Sequence, residues 1–145
     1  MHLLISAAAA LAATAAPAAA QTAGEPVTVE HYYRIKWGSA EEFKRLYKAN
    51  HQPILEELRK EGRIVTIRTD VPFTHMAGNQ RWDMRVTITY PDAASAVVVG
   101  GAFDKASEAI TARLYPDKAR LDAEEARRFG LLEEHWDVIV TPAGE

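Results

Sequence analysis

The amino-acid sequence predicts an α+β domain: one antiparallel sheet with helices on one side. Three observations carry this. Arg81 to Tyr90 alternates, with Trp82, Met84, Val86, Ile88 and Tyr90 on one face and Arg81, Asp83, Arg85, Thr87 and Thr89 on the other. That period of two marks a strand with one face in an apolar core. Val27 to Trp37 repeats the pattern and runs straight into a long helical stripe. The element order is strand, helix, strand, strand, helices, strand.

In the first strand, Val29, His31, Tyr33, Ile35 and Trp37 share one face, and Glu30, Tyr32, Arg34 and Lys36 the other. Gly38-Ser39 stops it. Ser39 is placed to cap a helix whose first turn holds Glu41 and Glu42, where the helix dipole favours carboxylates. The helix is expected over residues 40–60. Phe43, Leu46, Tyr47, His51, Ile54, Leu55 and Leu58 recur at three- and four-residue steps, and Pro53 predicts a kink at residues 49–52. Gly62 follows as a stop.

A second strand is expected over residues 63–69, then a loop over 70–80 carrying Phe73, His75 and Met76. After the 81–90 strand, Pro91-Asp92 opens a helical region broken at Gly100-Gly101 and at Tyr115-Pro116-Asp117 and ending near Gly130. Arg127-Arg128 reads as its solvated end, where basic residues suit the dipole. The last strand is expected over residues 135–141, with Trp136, Val138 and Val140 facing away from His135, Asp137 and Ile139. The whole is the βαββαβ order of the ferredoxin-like fold: a four-stranded antiparallel sheet with helices on one face.

Residues 1–20 read as a signal peptide. An apolar stretch from Leu3 runs through alanines to Ala18-Ala19-Ala20, with Gln21 as the expected new N-terminus. Residues 21–26 are a leader and 27–145 one domain, which places the protein in the periplasm or outside the cell, off the membrane once cleaved. The chain has no cysteine and a net charge of −3 with both signs interspersed. There is accordingly no thiol chemistry, and no basic surface of the kind nucleic acid requires.

The segments 32–38 (YYRIKWG), 81–87 (RWDMRVT) and 135–138 (HWDV), in this order of elements, resemble exported bacterial members of the dimeric α/β-barrel superfamily. That superfamily includes antibiotic-biosynthesis monooxygenases, muconolactone isomerases and haem-degrading monooxygenases. The resemblance implies a homodimer with sheets packed face to face and, in each subunit, a cavity between sheet and helices.

On the predicted registers His31 and Tyr33 neighbour Trp82 and Met84, with Trp136 alongside and His51 above them at the kink. Apolar walls with a few polar groups suit a small aromatic or apolar molecule. The residues predicted to act are His51 as acid/base with His31 and Tyr33 as polar partners; Trp82, Met84, Trp136 and the loop His75 would hold the ligand. A second arrangement uses the opposite face, where Arg85 and His135 would bind a carboxylate or phenolate. No His-rich or HExxH spacing exists, so no metal site is predicted, and His31 and His135 fall on different faces. The expected function is that of a cofactor-independent lyase, isomerase or monooxygenase. The alternatives are a non-catalytic binding protein or structural dimer, and a metal protein or a haem protein with His51 as axial ligand.

Overall fold

A computed structural model describes residues 24–141; the predicted signal peptide, and residues 21–23 of the leader, lie outside them. The elements are β1 (Val27–Ile35), α1 (Ala40–Leu46), a π-helical turn (Tyr47–His51), α2 (Gln52–Lys60), β2 (Thr66–Asp70), β3 (Met84–Tyr90), α3 (Ala93–Val97), α4 (Ala102–Leu114), α5 (Lys118–Gly130) and β4 (Leu132–Val140). The four strands form one antiparallel sheet in the order β2-β3-β1-β4. This is the predicted ferredoxin-like α+β fold, with β1 and β3 central. Among the described residues no helix is long and apolar enough to cross a membrane.

The core lies between sheet and helices. Val29, Tyr33 and Ile35 from β1 and Met84, Val86, Ile88 and Tyr90 from β3 are buried there, against Phe43, Leu46, Tyr47, Ile54, Leu55 and Leu58. The predicted periods of two and 3.6 both appear in this list. Asp92 and Asp117 cap α3 and α5 by accepting from the backbone N–H of Ser95 and Arg120. Ser39 makes no such side-chain bond; only its carbonyl accepts, from Phe43. Gly62 ends α2 at a φ of 73°, a conformation open chiefly to glycine.

The kink at Pro53 takes the form of the π-helical turn, closed by the Gln52 N–H donating to the Tyr47 carbonyl. Proline has no N–H for the carbonyl four residues back. That carbonyl, on Ala49, instead accepts from the Tyr115 hydroxyl at 2.7 Å, which ties the kink to the end of α4.

The structure corrects two registers. The 81–90 strand begins three residues late, at Met84. Residues 81–83 leave the alternation because the Asp83 carboxylate accepts from the Ile35 N–H at 2.7 Å and the Asp83 N–H donates to the Tyr33 carbonyl. Arg81 is consequently buried, and Trp82 joins Tyr32 on the outer face, ring centroids 5.9 Å apart. In β4, Ile35 pairs with Leu132 but Arg34 pairs with Glu134. The extra residue, Glu133, flips every side chain after it. His135 and Asp137 therefore face the helices, and Trp136 stacks on Tyr32 outside, at 5.3 Å. Trp37, expected with the core, lies beyond β1 and is 72% exposed under the Arg81 guanidinium.

Candidate functional site

Between the sheet and the helices lies a cavity of about 290 Å³, near the lower end of the range for small-ligand pockets (about 300–1,000 Å³). β1 contributes His31 and Tyr33, β3 contributes Val86, Ile88 and Tyr90, and β4 contributes His135. The π-helical turn supplies Tyr47 and His51 from its two ends, and α2 supplies Ile54, Leu55 and Leu58. The far wall is Phe103 and Ser107 of α4 with Arg128 and Phe129 of α5. π-helical turns recur at functional sites because the extra residue re-aims side chains. Here the Tyr47 and His51 rings sit 5.2 Å apart on the same wall.

The cavity's polar groups are tied to one another. The His31 Nδ1 lies 2.7 Å from Asp137 Oδ1. An ionised carboxylate can only accept, so Nδ1 donates to it, and in the neutral ring Nε2 is then the acceptor. The Nε2 is buried and has no hydrogen-bond partner among the described residues. His135 donates from Nδ1 to the Tyr32 carbonyl at 2.8 Å, which fixes its tautomer too; its Nε2 lies 3.5 Å from the same Asp137 Oδ1. Its ring stacks on Tyr33, centroids 4.4 Å apart.

Burial sets the protonation states. Desolvation, and then the charge of Arg128, pushes His51 down to about 4, so its ring is neutral across the physiological range. Desolvation pushes the Tyr33 and Tyr90 hydroxyls up to about 12 and Tyr47 higher still, so all three are neutral donors.

The cation in this site is Arg128, which sequence reasoning placed in solvent. It is 2% exposed. Glu125 pairs with its Nε and Nη2, and the Phe129 ring lies 4.4 Å from its guanidinium carbon, with Phe43 and Tyr47 farther off. The missed signal is spacing: Arg128 stands seven residues after the buried Leu121, on the same helical stripe.

Of the predicted site residues, His31, Tyr33 and His51 meet in this cavity. Trp82 and Trp136 do not, since the two register shifts carry both to the outer face. Met84 is buried in the core but does not line the cavity. His75 lines a separate cavity of about 300 Å³ under the 71–76 loop, with Trp37 and Trp82. Arg85 lies on the outer face, paired with Glu30 and Asp70, so it cannot act with His135 through one ligand. The prediction that His31 and His135 occupy different faces is overturned. His31, His135 and Asp137 offer ligand atoms within 4.8 Å of one another, a grouping no sequence spacing announced.

No protein-family profile matches the chain, and no curated protein matches it. Solved structures do. The chain is similar to the solution structure of an Arabidopsis thaliana protein (13% identity, TM-score 0.51), over 86% of this chain and 95% of that one. It is also similar to a dimeric ferredoxin-like protein of unknown function from Thermobifida fusca (14% identity, TM-score 0.47, 82% and 92% covered). A DABB family protein with a ferredoxin-like fold from Mesorhizobium loti aligns at 10% identity and a TM-score of 0.45, over 82% and 98%. The first of these likenesses bears on the fold alone.

Proposed function

We propose that the cavity binds a small, largely apolar or aromatic molecule and that His31 moves a proton on it without a cofactor. The observation that carries this is His31 on the wall of an apolar cavity, bonded on its other side to the half-exposed carboxylate of Asp137. Asp137 holds the imidazole in one tautomer and would stabilise the imidazolium formed when Nε2 takes a proton. His51, neutral at ordinary pH, is a hydrogen-bond partner for the substrate rather than the base. Tyr33, protonated throughout, is the donor to a developing enolate or phenolate oxygen. The reaction class is proton abstraction next to a carbonyl, the step shared by isomerases, lyases and direct oxygenation of an activated ring.

The test is deuterium exchange: enolisable aryl ketones and hydroxylated aromatic ketones are incubated with the protein in D2O and followed by NMR. Protein-dependent exchange that is lost in His31→Asn, with ligand binding retained, is the expected result. Exchange that persists in that variant removes His31 from the role.

A second reading is favoured by one observation. Two imidazoles and a carboxylate within 4.8 Å form a donor set for a divalent ion, and the Tyr32 carbonyl orients His135 as an outer-shell group would. Such an ion would displace the His31–Asp137 proton. Metal analysis of protein purified without chelators, and zinc titration of His135→Ala against wild type, separates this reading from the first.

The protein as proposed is an exported homodimer. The outer face supports the pairing: Tyr32, Trp82 and Trp136 form a partly exposed aromatic cluster flanked by ion pairs, and Val138 is 40% exposed beside it. The signal-like pattern of residues 1–20 supports export.

A further inference from the structure

We propose that Arg128 makes the cavity selective for carboxylates, receiving the anionic head of a small molecule whose apolar body lies among Tyr33, Tyr47, Tyr90 and Phe103. This deepens the ligand-pocket reading above and rests on it. Arg128 is buried at the cavity wall, and its pairing is incomplete. Glu125 occupies Nε and Nη2; the remaining nitrogen, Nη1, is buried without an acceptor among the described residues. A buried guanidinium N–H left unpaired is costly, and a ligand oxygen would satisfy it. Phe129, Phe43 and Tyr47 surround the guanidinium, so the free edge is held in place before a ligand arrives.

A comparison within the molecule shows why Arg128 is the relevant side chain. Arg81 also has an unpartnered Nη1, but it lies against Trp37 and lines neither the sheet–helix cavity nor the one under the 71–76 loop. The half-exposed Asp137 does not line the cavity and accepts from His31, so it does not compete for Arg128. The charge of Arg128 is felt across the cavity, where it helps keep His51 neutral. One guanidinium edge among aromatic walls suits a single planar anion; a phosphate would need more cations than the cavity provides. The class of ligand is therefore an aryl or unsaturated carboxylate, its acid group at α5 and its reacting carbon toward β1 and His31.

The test is calorimetric titration of the full chain with benzoate and cinnamate against their neutral isosteres, benzamide and cinnamamide. Each acid is expected to bind at least about tenfold more tightly than its amide, the scale of one charged hydrogen bond. Arg128→Met should erase that preference and leave amide binding unchanged. Glu125→Gln, which keeps the cation, should retain or strengthen it and covers the case in which Arg128→Met fails to fold. Equal binding of acid and amide, or a preference that survives Arg128→Met, overturns the carboxylate assignment and leaves the pocket standing. No binding by either set overturns the pocket along with it.

Discussion

The two faces of this sheet handle charge differently. On the outer face charges are met by opposite charges: Arg85 by Glu30 and Asp70, Arg68 by Asp70, Arg34 by Glu133 and Glu134. On the helix-covered face Asp137 is half exposed, but desolvation governs the groups that line the cavity: His51 is held neutral, tyrosine hydroxyls are held protonated, and one arginine is left with a free edge. Reactive groups belong where water has been removed and pairing is incomplete, because there an arriving molecule changes the energy most. The outer charges are met mostly by one another, although Arg34 Nε and Arg85 Nε lack a hydrogen-bond partner among the described residues, and such a lattice suits a surface that meets another protein.

The largest expected effect breaks the covered face. Phe43→Ala removes a fully buried ring touching Tyr33, Tyr47 and Arg128 and should cost about 3–5 kcal/mol in denaturant unfolding. A cost under about 1 kcal/mol would mean that the core is loosely packed there.

Next is pH. The ordinary histidine value is 6.5, and His51 is lowered to about 4. As pH falls below about 6.5 the unfolded chain takes up a proton that the folded one refuses. Stability should therefore decline from about pH 6.5 to about 4, by on the order of 3 kcal/mol, and level off below. The informative quantity is the difference between wild type and His51→Gln, since carboxylates titrate in the same range. An identical pH dependence in the two would contradict the desolvated, neutral His51.

The outer face gives the smaller effects. Trp136→Glu places a charge in the aromatic cluster and should raise the dimer dissociation constant roughly a hundredfold, read by analytical ultracentrifugation, without altering ligand affinity. An unchanged constant would move the pairing surface elsewhere. Smallest is Arg68→Ala, an exposed partner of Asp70, at well under about 1 kcal/mol.

How much of this was legible in the sequence follows from the same physics. β1 and β3 are central strands with one wet face and one dry, so their alternation from Val29 to Ile35 and Met84 to Tyr90 correctly assigned each side chain. The Pro53 kink was legible because proline removes a specific hydrogen bond. β4 was not, for two reasons. It is an edge strand in which Val138, Ile139 and Val140 are all apolar, so alternation is ambiguous. The extra residue at Glu133 has no local sequence mark. Taking Trp136, Val138 and Val140 as the inward set of residues 135–141 separated His135 and Asp137 from His31, and put Trp136 on the wrong face. Arg128 was misplaced because a basic residue in the last turn of a helix is ordinarily solvated; its burial depends on a partner, Glu125, three residues earlier and on rings from α1 and the π-helical turn.

The most direct measurement is long-range proton–nitrogen NMR of the histidine rings during a titration with benzoate. It reads protonation, tautomer and ligand contact for His31, His51, His75 and His135 in one experiment. The account predicts His51 neutral down to about pH 4, a single fixed tautomer with the proton on Nδ1 for His31 and His135, and benzoate-dependent shifts at His31 and His51 with His75 unmoved. A His51 that titrates near 6.5, with no ring distinguishing itself from His75 on addition of ligand, would contradict a functional cavity between the sheet and the helices.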